Sequence, residues 1–329
     1  MRAVRIYGLG TPYKGEIANM PALEPGPGEV AIRVEAAPVN FVDIITIAGG
    51  YQFAPPIPYT PGKGPVGVVT QVGTGTQGIA LGDRILAMAE HGGFAEMAVA
   101  GVASCYKLPD RLSFTDAATL CVAFDTAWMS LREQARIKAG ETVLVLGANG
   151  AVGIAALQLA KAMGALKVLA GVSGPEKFAG LESLGADGMI DLSQDNLRDK
   201  LREQVHKLNG GEGVDIVIDP LGGDAFDGAV RALNWRGRLV VVGFAAGRIP
   251  KIQTNYLMLK NIELSGIQIS DYRRREPGLL RRCYEELFSL YAAGKLKPLA
   301  TTTMKLDEWK TALEMVARRQ AANKLILVP

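Results

Sequence analysis

Two histidines, His91 and His206, are all that the 329 residues contain. Cysteine is nearly as scarce, with Cys105, Cys121 and Cys283 far apart along the chain. A catalytic zinc needs about three Cys, His or carboxylate ligands converging on one point, and no set here supplies them. An odd, scattered trio of thiols argues against a disulfide framework and fits a reducing compartment. The N-terminus, Met1-Arg2-Ala3-Val4-Arg5-Ile6, lacks a signal-peptide core. No uninterrupted apolar run reaches the length of a membrane span. A cytoplasmic location is the expectation. The net charge of +3 is too small to argue for nucleic acid or a membrane surface. Internal repeats, long linkers and biased tracts are also missing.

What is present is the composition of a globular protein, 48% hydrophobic and 21% charged. Its length allows two domains with a large core. Residues 1–122 read as β-rich. Val30–Glu35, Val66–Val72, Arg84–Ala89 and Phe94–Ala98 alternate or carry β-branched residues, and Gly/Pro signals separate them. This spacing predicts a small barrel-like unit. The pattern turns helical around Ala117–Arg132, the expected crossing into a second domain.

From Glu141 strands and helices alternate. Thr142–Leu146 is a short apolar run fit for one buried parallel strand. Gly147-Ala148-Asn149-Gly150-Ala151-Val152-Gly153 follows as a tight turn. Val152, Ala156, Leu159, Ala160 and Met163 then recur at helical spacing. Strand, glycine turn and helix form the context of a dinucleotide fingerprint, here A-x-G-x-x-G. Gly150 lets the backbone approach a pyrophosphate, Gly153 lets helix and strand pack closely, and N–H groups at the helix start face the phosphates.

Further strands are expected at Lys167–Val172, Met189–Asp191, Val214–Asp219, Arg238–Gly243, Asn261–Gln268 and Lys324–Val328. Helices are expected at Pro175–Leu184, at Leu197–Leu208 capped by Ser193, at Ala225–Leu233, at Pro277–Ala293, and around Trp309–Val316 capped by Asp307. The series argues for an α/β fold with a doubly wound parallel sheet.

The second strand types the cofactor. An NAD-selecting carboxylate belongs about 20 residues past the glycine turn. The strand instead ends Ala170-Gly171-Val172-Ser173-Gly174, with no acid at its tip. Ser173 can donate to a 2′-phosphate, and Lys177 can bring a positive charge. The alternative reading of Lys177 is a solvated helix charge.

The order of these pieces resembles the medium-chain dehydrogenase/reductase superfamily, and within it the zinc-free NADPH:quinone oxidoreductases of the ζ-crystallin type. The resemblance spans nearly the whole chain. It rests on Val39-Asn40-Phe41-Val42-Asp43, Tyr59-Thr60-Pro61-Gly62, Gly82-Asp83-Arg84-Ile85, Gly93-Phe94-Ala95-Glu96, Thr126-Ala127-Trp128, the A-x-G-x-x-G turn and Asn323-Lys324. It implies a GroES-like catalytic domain built from residues 1–122 and 267–329, with a Rossmann NADPH-binding domain, 123–266, inserted between them. It also implies an active site in the cleft. Zinc alcohol dehydrogenases place a cysteine ligand where Asn40 stands, and their Gly-His-Glu is here Gly62-Lys63-Gly64, so no metal is expected.

Several site residues follow from the resemblance alone. Thr126 is expected on the nicotinamide side, Asp219 to Leu221 beside the ribose, and Gly243, Phe244 and Ala245 beside the ring. Ile267, Gln268, Ile269 and Asn323 complete the enclosure, and Arg319 can join the phosphate site. Asn40 is expected to hold the ribose or a substrate carbonyl. Tyr51 corresponds to a tyrosine near the acceptor, where a phenol either donates a proton or only walls the pocket. Asp43 supports its loop. The basic stretch Tyr272-Arg273-Arg274-Arg275, with Arg281 and Arg282, reads as a solvated helix entrance or as a site for an anionic substrate.

The expected activity is zinc-independent, NADPH-dependent reduction of quinones or other α,β-unsaturated carbonyls. A 2-enoyl thioester or enal reductase is the alternative. An NADPH-binding structural or RNA-binding protein is the alternative of another class. Partners are a small-molecule acceptor and a second copy of the chain, paired through Asn261–Gln268.

Overall fold

Every residue of Thr142–Leu146 is buried, as a run of five β-formers without an alternating polar face requires. The computed structural model describes residues 1–329 and builds two units around such runs. The first unit comprises Met1–Val122, Arg273–Tyr284 and Pro298–Pro329, and the second Ala123–Tyr272 and Glu285–Lys297. The division therefore departs from the expected one beyond Gly266. Ile267–Tyr272 stay with the second unit, and so does the segment Glu285–Lys297.

In chain order the first unit begins with β1 (Arg2–Gly8), β2 (Lys14–Asn19), β3 (Glu29–Pro38), α1 (Phe41–Ala48), β4 (Val66–Val72), β5 (Arg84–Ala87), β6 (Met97–Gly101), β7 (Cys105–Lys107) and α2 (Phe114–Leu120). The second contributes α3 (Ala123–Met129), β8 (Thr142–Leu146), α4 (Ala151–Ala162), β9 (Lys167–Val172), β10 (Gly188–Asp191), α5 (Leu197–Leu208), β11 (Val214–Asp219), α6 (Gly223–Ala232), β12 (Leu233–Val241), α7 (Asn255–Lys260) and β13 (Glu263–Gly266). After α8 (Ile269–Arg275) and α9 (Pro277–Ala292), the chain ends in β14 (Thr301–Lys305), α10 (Trp309–Ala317) and β15 (Lys324–Val328).

In the first unit β3 is the hub. It pairs antiparallel with β4, β6 and β15, and the sheet runs β14-β15-β3-β4-β5-β7. Val4, Ile32, Ile47, Phe94, Trp309 and Leu327 belong to one buried cluster beneath it. The second unit holds a six-stranded sheet in the order β10-β9-β8-β11-β12-β13, each neighbouring pair parallel. Chain order reverses between β8 and β11, and ligands bind at such a switch point outside the strands' carboxyl ends.

Four local expectations are corrected. Pro175–Leu184 is not one helix but two 3-10 turns, Pro175–Lys177 and Glu182–Leu184. Gly174 offers no capping side chain and Gly180 has φ +85°, so an α-helix can neither start nor continue. Ser193 does not cap α5. It bonds back to Asp191, and the N-cap is Asn196 at φ 52°. Asp307 does not cap α10 but pairs with Arg2, within a 3-10 turn that precedes the helix. The helical stretch around Ala117–Arg132 is also broken, at Val122, whose φ of 56° no β-branched residue adopts inside a helix. It ends in a π-turn, Ser130–Gln134. No helix is long and apolar enough to cross a membrane.

Candidate active site

The second unit presents its site as backbone. Gly147 has φ 59°, which turns the chain sharply out of β8. A Cβ on Gly153 would lie 2.3 Å from the Gly147 carbonyl oxygen and 2.6 Å from the Ala148 Cα, so only glycine lets α4 approach β8 this closely. Gly150 differs. It has an ordinary extended backbone, φ −80° and ψ 165°, and a Cβ there would meet only the Gly147 oxygen at 3.3 Å. Asn149 and Gly150 are exposed, and the helix behind them is twelve residues long. Its first-turn N–H groups have no intrahelical acceptor, and the helix dipole favours an anion there. Ala151 and Val152 begin that turn half-buried.

The neighbouring strand ends meet this turn. The Ala148 N–H donates to the Gly171 carbonyl at 3.0 Å, tying the turn to the end of β9. Gly147 packs on the Leu221 side chain. Asp219, at the end of β11, is fully buried. Its Oδ1 accepts from the N–H groups of Leu221 and Gly222 at 2.8 and 2.9 Å. Its Oδ2 has no partner in the protein. Desolvation pushes this carboxyl above the usual range, and the two N–H donors only partly offset it. An orphaned buried acceptor at the end of β11, two residues before Leu221 on which the glycine turn packs, fits a ligand hydroxyl. The Gly243 N–H donates to the Asp219 carbonyl, the Ala245 N–H to the Pro220 carbonyl, and the Ile267 N–H to the Val241 carbonyl. Phe244 and Ala245 are exposed, while Gly243, Ile267, Gln268 and Ile269 are half-buried. The structure thus gathers these residues at one edge of the sheet.

Ser173 and Lys177 are exposed and joined, the Lys177 ammonium donating to the Ser173 hydroxyl at 2.7 Å. The Glu176 carboxylate folds over Gly174, where it would lie about 2.5 Å from an added Cβ. An acid thus sits beside the lysine. Thr126 is buried on α3 and its carbonyl accepts from Ser130 Oγ. Arg319, at φ 56°, and Asn323 lie in the first unit between α10 and β15, both exposed.

The first unit presents a knot of side chains. Asn40 is 3% exposed and held at both ends. Its Nδ2 donates to the carbonyls of Pro38 and Lys63 at 3.2 Å, and its Oδ1 accepts from Lys324 Nζ at 2.7 Å. Asp43 Oδ2 accepts from the Asn40 N–H at 2.9 Å and so closes the start of α1. Burial, set against that bond and the fields of Lys63 and Lys324, raises the Asp43 carboxyl to about 6. Desolvation likewise lowers Lys324. The buried Tyr59 phenol is pushed upward by burial and by Asp43.

Lys63 is 3% exposed and bonds Glu90 at 2.5 Å. Glu90 also takes Arg273 at 3.1 Å. The Lys63 ammonium lies 5.0 Å from the Tyr51 ring centre. Tyr51 meets Phe53 edge-on at 5.9 Å, and Arg274 stacks over Phe53. Sequence reasoning named Tyr51 and Asn40, missed Glu90, read Arg273 only as part of a basic stretch, and weighed Lys63 only as a departure from a ligand motif. The basic run Arg273-Arg274-Arg275 is not one solvated entrance, because Arg273 is buried on Glu90.

A zinc ion does not fit here. No group of three His, Cys, Asp or Glu side chains could hold one, and a buried ammonium stands next to Asn40.

A largely antiparallel β unit and a parallel sheet with a glycine turn at its switch point define the class, a GroES-like unit and a dinucleotide-binding unit in one chain. Comparison with known proteins agrees. Residues 26–110 match the family model of the alcohol dehydrogenase GroES-like domain, and residues 151–285 that of zinc-binding dehydrogenases. The chain is 34% identical to a quinone oxidoreductase-like protein 2 homolog of Nematostella vectensis, over 99% of this chain and 88% of that one. It superposes on Escherichia coli quinone oxidoreductase complexed with NADPH with a TM-score of 0.89, at 26% identity and full coverage of both chains. The CurK enoyl reductase gives a TM-score of 0.88 at 26% identity, covering 99% and 98%. This chain belongs to the zinc-free quinone oxidoreductase family of medium-chain dehydrogenases/reductases.

Proposed function

We propose that this protein is a zinc-independent, NADPH-dependent reductase of quinones or other α,β-unsaturated carbonyls. The observation that carries this reading is the open turn at Gly150, backed by the α4 N-terminus and flanked by the orphaned Asp219 oxygen. The chain's NADPH-bound relative supports the cofactor. Bound NADPH would supply the hydride. The protein's contribution is binding and orientation. Gly147 to Gly153 cradle the pyrophosphate, Ser173 and Lys177 meet the 2′-phosphate, and Asp219 accepts from a ribose hydroxyl. Thr126, Gly243, Phe244, Ala245, Ile267, Gln268 and Ile269 border the nicotinamide. Tyr51 walls the acceptor site, its ring packed between Lys63 and Phe53. Asn40 acts through the groups it braces.

The likeness to an enoyl reductase favours a second reading, in which the acceptor is an enoyl thioester or enal. NADPH oxidation against a panel of quinones, alkenals and enoyl-CoA thioesters decides between the two. A preference of at least tenfold in kcat/KM for quinones is expected, and the reverse preference would overturn it. Tyr51→Phe should keep quinone turnover within about tenfold of the parent, because a hydroquinone anion can take its proton from water.

We further propose a homodimer joined along β13, an edge strand of the parallel sheet. Trp235, Ile249, Met258 and Leu259, near it in sequence, are each exposed by two thirds or more. Sedimentation at micromolar concentration tests this, with twice the chain mass expected.

A further inference from the structure

Pro55-Pro56-Ile57-Pro58 places three prolines in four positions, and a proline has no N–H to give a neighbouring strand. Pairing with β1 is taken up only at Tyr59, which exchanges backbone bonds with Ile6 at 2.8 and 3.2 Å. The Gly92 N–H then donates to the Thr60 carbonyl, and the Val4 N–H to the Phe94 carbonyl. Among these tied segments lies a cavity of about 470 Å³, lined by residues of the first unit alone. Met97 and Val99 alternate on β6 and so share one face. Met20 and Leu23 add aliphatic surface, and the three prolines add rigid rings. No acidic side chain lines the cavity. Two of its polar side chains have bonding capacity left. Arg5 is half-buried. It donates from Nη1 to Thr60 Oγ1 at 3.3 Å and from Nη2 to the Pro58 carbonyl at 2.7 Å. A guanidinium has five N–H donors, so these two bonds leave others open. Glu16 stands opposite it on β2, yet Arg5 joins no ion pair. His91 meets the Tyr59 ring edge-on at 6.4 Å and makes no side-chain hydrogen bond. Burial above all holds this imidazole below its usual range, which leaves Arg5 as the charged side chain of the lining.

We propose that this cavity binds an apolar monocarboxylate, the carboxylate meeting Arg5 and the hydrocarbon lying against the methionines and prolines. A charge taken partly out of water is normally paired, and Arg5 has no acid of its own. Its planar fork matches a carboxylate. Apolar walls with few polar groups, around a volume of this order, suit a small ligand. Methionine side chains are flexible and polarizable, so they adapt to a chain of no fixed shape. The second unit has a smaller cavity, about 190 Å³, that is also lined by cations, but its Arg248 already pairs with Asp224 and Asp227. The carboxylate site goes beyond the reductase reading and does not depend on it, because no residue that lines it serves NADPH or the acceptor.

Calorimetric titration of the full-length parent tests this, with octanoate and with octan-1-ol, an uncharged ligand of equal chain length. Octanoate should bind saturably, one per chain. It should bind about tenfold or more tighter than octan-1-ol, the factor that one charge-assisted bond contributes. Arg5→Gln keeps an amide donor for the Pro58 carbonyl and removes the charge. It should bring octanoate down to the affinity of the alcohol and leave the alcohol's affinity unchanged. Met97→Trp fills the cavity from β6 and leaves Arg5 in place. It should weaken both ligands by about tenfold or more, through lost apolar contact. Thermal melting shows whether each variant folds, and either variant alone decides the matter if the other does not. A parent that takes up no octanoate overturns the proposal, and so does equal affinity for octanoate and octan-1-ol. Octanoate binding unchanged in Arg5→Gln or in Met97→Trp would place the ligand elsewhere and overturn it too. The reductase reading is tested apart from this, by NADPH oxidation, and neither result decides the other.

Discussion

The glycine turn of the second unit and the charged knot of the first solve opposite problems. The turn makes a site by withholding side chains. Gly147 bends, Gly153 yields to the strand, and Gly150 leaves space. Its donors are main-chain N–H groups, present in any sequence that forms the helix. The knot makes a site by burying what the chain would rather expose. Asn40, Asp43, Lys63 and Arg273 are each buried, drawn from α1, a glycine-flanked turn and α8, with Lys324 of β15 and Glu90 joined to them. A backbone site is robust to most substitutions except those that fill it. A side-chain site is exposed to the loss of any one partner.

The largest expected effect breaks the first half of that comparison. Gly150→Val fills the opening without a forbidden backbone angle and with only one close internal neighbour. NADPH affinity should fall by roughly a hundredfold or more, several charge-assisted contacts being lost together. The melting temperature should shift by only a few degrees. Unchanged affinity in a fluorescence titration would place the phosphate turn elsewhere.

Next comes the knot. Asp43 rises from 3.8 to about 6 on folding, so the folded state holds this proton more tightly than the unfolded chain does. The stability tied to Asp43 is fully present below about pH 3.8 and is lost as pH rises through about 6, up to roughly 3 kcal/mol in all. Asp43→Asn keeps an acceptor for the Asn40 N–H and removes the titration. Relative to this variant, the parent should lose stability in denaturation series between pH 4 and pH 7. A difference that stays flat with pH would show that the burial of Asp43 carries no such cost.

A smaller effect concerns cofactor choice. If Lys177 meets the 2′-phosphate as proposed, Lys177→Ala removes one charge-assisted contact, worth roughly 1.5–3 kcal/mol. NADPH binding should weaken by about ten- to a hundredfold while NADH binding barely changes. Equal losses for both cofactors would make Lys177 a support for its turn. The smallest effect sharpens the same site. Glu176 folds over Gly174 beside Lys177, and its charge opposes a phosphate. Glu176→Gln should tighten NADPH by roughly two- to fivefold, the scale of an exposed charge interaction, and leave NADH unchanged. Weaker NADPH binding in this variant would mean that the carboxylate orients the lysine.

Many strands of both sheets were legible because each advertises itself locally. Val66–Val72, Thr142–Leu146, Lys167–Val172, Val214–Asp219 and Lys324–Val328 carry their β-branched runs inside the bounds the structure shows. The two N-terminal strands and α1 were not legible. Arg2–Gly8 mixes charge with apolar residues in a pattern that only pairing with Lys14–Asn19 resolves. Phe41–Ala48 reads as an apolar run of either kind. The stretch Pro175–Leu184 misled because its apolar spacing is helical while Gly174 and Gly180 hold positive φ.

By itself the sequence determined the turn at Gly147–Gly153, the βαβ series and the want of metal ligands. Each depends on residues within a few positions of one another, or on residue types that are simply missing. Only the tertiary structure decided what Lys63, Glu90, Arg273 and Lys324 do. Their partners lie 27 to 284 positions away, and a charged side chain carries no local signal of whether it will be solvated or buried. Burial and partner are properties of the packed whole, and they alone turn a lysine between two glycines into a buried member of an ion-paired cluster.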